Sequence, residues 1–180
     1  MNLKTWIKTI FMVYRHLPRI IDSIDKVFSA RALNGGIMSG NAVSYNDVYN
    51  LTDNLIKLSQ KKVALINLKV LAKLIVRNLD RDLAKMLILR FVDGFTAPKL
   101  AEHFNISERT VFRRINEALS MASMKAEELG YNKEKLENEF KDEKWLFDLG
   151  EVAENDDYIQ IDNDYLKKVI REYKKFSYAN

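Results

Sequence analysis

Apolar residues recur three and four positions apart along almost the whole chain, the spacing of helices that each bury one face. Trp6, Ile7, Ile10, Phe11, Val13, Tyr14 and Leu17 form the first stripe. Pro18 then interrupts, either kinking one helix or sitting in the first turn of the next. Ile20, Ile21, Ile24, Val27 and Phe28 carry the apolar face on to about Ala32. Asn34-Gly35-Gly36 predicts a stop there, followed by a flexible connection to Asn41. Ser44, with Asp47 three residues on, predicts the cap of a helix whose stripe is Val48, Leu51, Leu55 and Leu58. Beyond Gln60, the residues Val63, Leu65, Ile66, Leu68, Val70, Leu71, Leu74 and Ile75 cover more than one face. A helix apolar on most sides is expected to be buried by several partners: the first helices, a second copy of the chain, or both.

Leu79 to Phe91 reads as a further helix with Leu83, Met86, Leu87 and Phe91 inward, ended by Asp93-Gly94. Thr96 caps a short helix that holds Pro98 in its first turn and reaches Phe104. Asn105-Ile106 makes a turn, and Ser107 caps a longer helix. After Gly130 the character changes. Lys133 to Leu146 is charged and predicted helical, Glu151 to Asp164 carries six acidic residues and no basic one, and Tyr165 to Tyr178 forms a last amphipathic helix with Leu166, Val169, Ile170 and Tyr173 on one side. Strand signals are nearly absent. The expectation is an all-α protein: a helical N-terminal region over 1–78 that serves oligomerisation, a central helix-turn-helix domain over 79–130, and an acidic C-terminal helical extension over 131–180.

Charge sharpens this division. Through Ala126 the chain has 20 Lys or Arg against 10 Asp or Glu, and from Glu127 onward 9 against 15, so a body of net +10 precedes an extension of net −6. A basic body points to a polyanion partner. The acidic stretch is then expected to fold over the basic helix and compete with DNA. The absence of cysteine excludes disulfides and thiolate metal sites and fits a cytoplasmic location. No run approaches the roughly 18 apolar residues of a membrane helix, and the N-terminal Lys4, Lys8, Arg15 and Arg19 are spread among apolar residues as in mature protein rather than a signal peptide. GGIMSG lacks the Lys-Ser or Lys-Thr of a phosphate loop. His16 and His103 are far apart, and Asp156, Asp157, Asp162 and Asp164 lack the glycine and final glutamate of a calcium loop. No catalytic, metal or cofactor site is expected, and no enzymatic activity.

The chemistry sits in TAPKLAEHF, NI and SERTVFRRINEALSMA. Small Ala101 permits a close helix crossing, and Leu100, Phe104, Ile106, Val111, Ile115 and Leu119 supply its core. A short helix, a tight turn and a longer serine-capped helix is the helix-turn-helix pattern, whose second helix enters the DNA major groove. With Val111, Ile115 and Leu119 inward, Glu108, Arg109, Phe112, Arg113 and Asn116 lie outward as base-contact candidates. Arg109 and Arg113, four apart, share a face, and a guanidinium fork fits guanine O6 and N7. Glu108 suits a cytosine amine. Phe112 suits a thymine methyl or, slightly favoured, packing on the neighbouring helix. Thr96, Lys99, Ser107, Thr110 and Arg114 are the phosphate-contact candidates, with the helix dipole and free N–H groups at Ser107 favouring an anion.

LILRFVDGFTAPKLAEHFNISERTVFRRINEAL resembles the region 4 helix-turn-helix of sigma-70 type transcription factors, over about residues 79 to 124. The family's elements correspond to Leu87 to Phe91, Gly94, Leu100-Ala101, Ile106-Ser107, Thr110-Val111 and Ala118-Leu119. Lys99 departs from the pattern, which has an acidic residue there. The first 78 residues do not resemble the promoter-melting region of a sigma factor. The whole is more similar to sigma-like regulators of phages and low-GC Gram-positive bacteria, which place a helical part with a stretch like LSQKK, here Leu58 to Lys62, before such a motif. The resemblance implies transcription control, with double-stranded DNA as partner and RNA polymerase as a second one. A homodimer through Val48 to Ile75 would read half-sites about one helical turn apart. Two alternatives stand beside this reading: a DNA-packaging subunit similar to phage small terminases, and a polymerase-binding factor that does not itself read DNA.

Overall fold

The computed structural model describes residues 1–38, 45–155 and 161–175, and among these it is helical with no strand. In chain order the helices are α1 (Leu3–Tyr14), α2 (Leu17–Met38), α3 (Tyr45–Asn78), α4 (Arg81–Leu87), α5 (Ala97–Phe104), α6 (Glu108–Glu128), α7 (Lys133–Glu139), α8 (Lys144–Asn155) and α9 (Asn163–Lys175). α4 continues without a break into one π-helical turn, Ile88–Val92. Among the described residues no helix is long and apolar enough to cross a membrane.

The boundaries follow local chemistry where the signal is local. Asn2 caps α1, its Oδ1 accepting from the Thr5 N–H at 2.8 Å. Pro18 lies in the first turn of α2, where its missing N–H costs nothing. Two expectations fail. α2 does not stop at Asn34-Gly35-Gly36 but runs on to Met38. Glycine in a helix costs only about 1 kcal/mol relative to alanine, so a glycine pair alone is a weak terminator. The rest of the expected loop and the Ser44 cap lie outside the described residues. Within a single chain α3 is covered on part of its surface: Leu58, Leu65, Leu68, Leu71, Ala72 and Ile75 are buried, whereas Val48, Tyr49, Ile56, Val63, Ile66 and Val70 are exposed. The segment expected as one helix from Lys133 to Leu146 is two, α7 and α8, separated by a turn at 140–143.

The chain folds as two compact units, each assembled from distant segments: 1–15 with 68–161, and 16–67 with 162–180. In the second, α2 packs against α9, with Ile20, Ile24 and Val27 of α2, Leu58 and Leu65 of α3, and Leu166, Val169 and Tyr173 of α9 buried. Lys62 of α3 pairs with Asp25 of α2.

In the first unit, α1 is the central strut. It packs on α6, α7, α8 and the π turn, and Trp6, Ile7, Ile10, Phe11 and Val13 are fully or almost fully buried. The Trp6 ring meets Phe140 at 6.0 Å and the edge of Phe147 at 5.3 Å between centroids. Leu136, Phe140, Trp145, Leu146, Leu149 and Ala153 from α7, α8 and their connecting turn are buried in the same unit. The Lys8 ammonium donates to the Ala153 carbonyl at 2.7 Å, satisfying an end carbonyl of α8.

Candidate nucleic-acid interface

The path from α4 to α5 is fixed by backbone and by one buried arginine. The Asp93 N–H donates to the Ile88 carbonyl at 2.9 Å and the Phe95 N–H to the Leu89 carbonyl at 2.8 Å, while Gly94 takes φ 78°. Arg90 is buried and donates from Nη1 to the Phe95 carbonyl at 2.9 Å, holding the turn that delivers Thr96. Thr96 caps α5, its hydroxyl accepting from the Lys99 N–H at 3.5 Å.

Between α5 and α6 the turn is set by Asn105, the one positive-φ non-glycine among the described residues, at φ 51° and ψ 50°. Asparagine tolerates this left-handed conformation better than other L-residues. The Ile106 N–H then reaches back to the Ala101 carbonyl at 3.0 Å, closing α5 as a Schellman-type end. Ser107 caps α6: its Oγ accepts from the Thr110 N–H at 3.2 Å and lies 2.9 Å from Thr110 Oγ1. The cap is expected to contribute about 1 kcal/mol. A Ser107→Ala variant should unfold at lower denaturant with an unchanged m-value, and an unaltered midpoint would show the cap to be unimportant.

The inner face of this corner consists of Leu100, Val111, Ile115, Ala118 and Leu119, all buried. Phe104 and Ile106 are half-buried. On the outer face Glu108, Arg109, Phe112, Arg113 and Asn116 are exposed, as are Thr96, Lys99 and Ser107, while Thr110 and Arg114 are half-buried. The turn and the seating of α6 on α4 and α5 therefore bring all ten sequence-derived candidates to the α5–α6 corner. Among the described residues no carboxylate pairs with Arg109 or Arg113. Phe112, at 37% exposure, opens onto a shallow hollow that it shares with Asn116 of α6 and with Lys4 and Lys8 of α1. Sequence reasoning missed two contributors. Arg90 carries no sequence signal that separates it from a solvated arginine. The apolar stripe of α1 was visible, but not the fact that α6 is one of the helices it covers.

Residues 71–121 match the family model described as sigma-70, region 4, and the α5–turn–α6 corner lies inside that match. The resemblance read from the sequence is borne out over this segment, which starts within α3 and leaves α1, α7 and α8 outside it. No curated protein and no solved structure matches the chain.

Proposed function

We propose that this chain is a sequence-specific, sigma-like DNA-binding transcription regulator in which α6 lies in the major groove. The observation that carries the reading is the pair Arg109 and Arg113. Both are exposed, four residues apart, on a serine-capped helix within the segment that matches sigma-70 region 4. Neither has an ion-pair partner among the described residues, so no internal salt bridge must break before either reaches a base edge. Glu108, Arg109, Phe112, Arg113 and Asn116 are assigned to base edges. Thr96, Lys99, Ser107, Thr110 and Arg114 are assigned to phosphates around the N-termini of α5 and α6. RNA polymerase is a second partner that the family match supports, and no enzymatic role is assigned.

Selection of bound fragments from random duplex DNA at two salt concentrations tests this. Readout by α6 gives one enriched sequence at both concentrations. Purely electrostatic attraction gives no enriched sequence and a steep loss of binding with salt, and that result would remove the proposal.

A single helix-turn-helix makes a small interface, and we assign the chain a homodimer built on α3. Its exposed Tyr49, Ile56 and Val63 are spaced seven apart, with Ile66 beside them, which is the period at which two helices pack along a common seam. Val63→Asp should convert a dimer to a monomer in sedimentation velocity, and a wild-type chain that sediments as a monomer at all concentrations would exclude this seam.

A further inference from the structure

We infer that Lys4, on α1, is a phosphate contact for the same duplex, supplied by an element outside the segment that matches sigma-70 region 4. This rests on the DNA-binding reading of α6 and extends it. α1 packs along α6 within one unit, and the Lys4 ammonium lies 3.2 Å from Ser120 Oγ. Ser120 is exposed and stands four residues beyond Asn116, about 6 Å further along the helix axis and on nearly the same side. Lys4 thus sits about one turn past the last base-contact candidate. A major groove about 12 Å wide accepts one helix, so a cation flanking that helix a turn beyond its reading residues meets the strand that borders the groove. The anion there is a backbone phosphodiester.

The neighbouring groups single out Lys4 among the cations of the hollow. Lys8 is committed to the Ala153 carbonyl and Arg90 to the Phe95 carbonyl. Glu154 also lines the hollow, but its carboxylate accepts from Asn2 Nδ2 at 3.3 Å. Among the described residues the Lys4 ammonium has one neutral hydroxyl as partner and no carboxylate. An ammonium carries three donors, so two remain for phosphate oxygens.

The test measures binding of the selected duplex between 50 and 200 mM salt for the wild-type chain and for Lys4→Ala, Ser120→Ala and Lys133→Ala, with thermal unfolding run alongside. Losing one phosphate contact makes the slope of log K against log salt shallower by about 0.9. The affinity ratio of wild type to Lys4→Ala should therefore shrink about 3.5-fold across that salt range. The enriched sequence and the unfolding midpoint should stay the same, and Ser120→Ala, which keeps the cation, should retain the wild-type slope. An unchanged slope for Lys4→Ala overturns the inference while leaving base reading by α6 intact. An equal change for Lys133→Ala, which removes a lysine from α7, also overturns it, because the effect is then one of net charge. A wild-type chain that binds no duplex removes the DNA reading itself, and this contact with it.

Discussion

Ending the chain after Tyr131 should unfold the helix-turn-helix unit rather than release it from an inhibitory tail. The deletion removes Leu136, Phe140, Trp145, Leu146, Leu149 and Ala153, all buried, and uncovers Trp6, which has no exposed surface in the intact chain. Truncating a single buried phenylalanine to alanine costs about 3–5 kcal/mol. Losing six buried side chains together exceeds the roughly 5–15 kcal/mol that holds a typical domain folded. The milder Phe140→Ala should lower stability by about 3–5 kcal/mol without abolishing the fold. Circular dichroism and limited proteolysis check both. A truncated chain that keeps a cooperative transition near the wild-type midpoint would show that α7 and α8 are dispensable. The expectation that the acidic stretch folds over the basic helix and competes with DNA did not anticipate that α7, α8 and their connecting turn carry buried apolar residues, Leu136, Phe140, Trp145, Leu146, Leu149 and Ala153.

Replacing Arg109 and Arg113 together by alanine should have the opposite signature. Both side chains are exposed and unpaired among the described residues, so thermal stability should stay within about 0.5 kcal/mol of wild type. A good bidentate arginine–guanine contact discriminates against the wrong base by about 1–3 kcal/mol. The double variant should therefore lose roughly 30-fold to about 25,000-fold in affinity for the selected duplex over a scrambled one, depending on how the two contacts couple. Parallel titrations of the two duplexes read this directly. Equal weakening toward both would assign the arginines to phosphates instead, and no weakening toward either would remove them from the interface.

The α5–α6 corner was legible because its determinants are local. Thr96, Asn105 and Ser107 each act within three or four residues of themselves, and the period of Leu100, Val111, Ile115 and Leu119 fixes which side of α6 remains outside. Composition and period likewise gave the all-α class. What escaped is what depends on partners distant in sequence. The stripe of α1 says that one face must be covered, but not that α6 and α8 cover it. The Gly35-Gly36 stop failed because propensity is a weak prior that the rest of a helix can override. Part of α8 was readable in hindsight: Leu146, Leu149 and Ala153 keep helical spacing inside a segment whose charge suggested a solvated tail. Arg90 could not have been found, since its role requires the Phe95 carbonyl to fold back over it.

If α6 presents guanidinium groups to base edges in the major groove, binding depends on an unmodified guanine N7. Methylation of guanine N7 places a methyl group in that groove without touching the phosphates. On the duplex recovered by selection, methylating one or two particular guanines should block binding of the wild-type chain, and Arg113→Ala should become indifferent to one of them. Binding unaffected by N7 methylation at every guanine, together with undiminished sequence preference, would contradict base reading by α6.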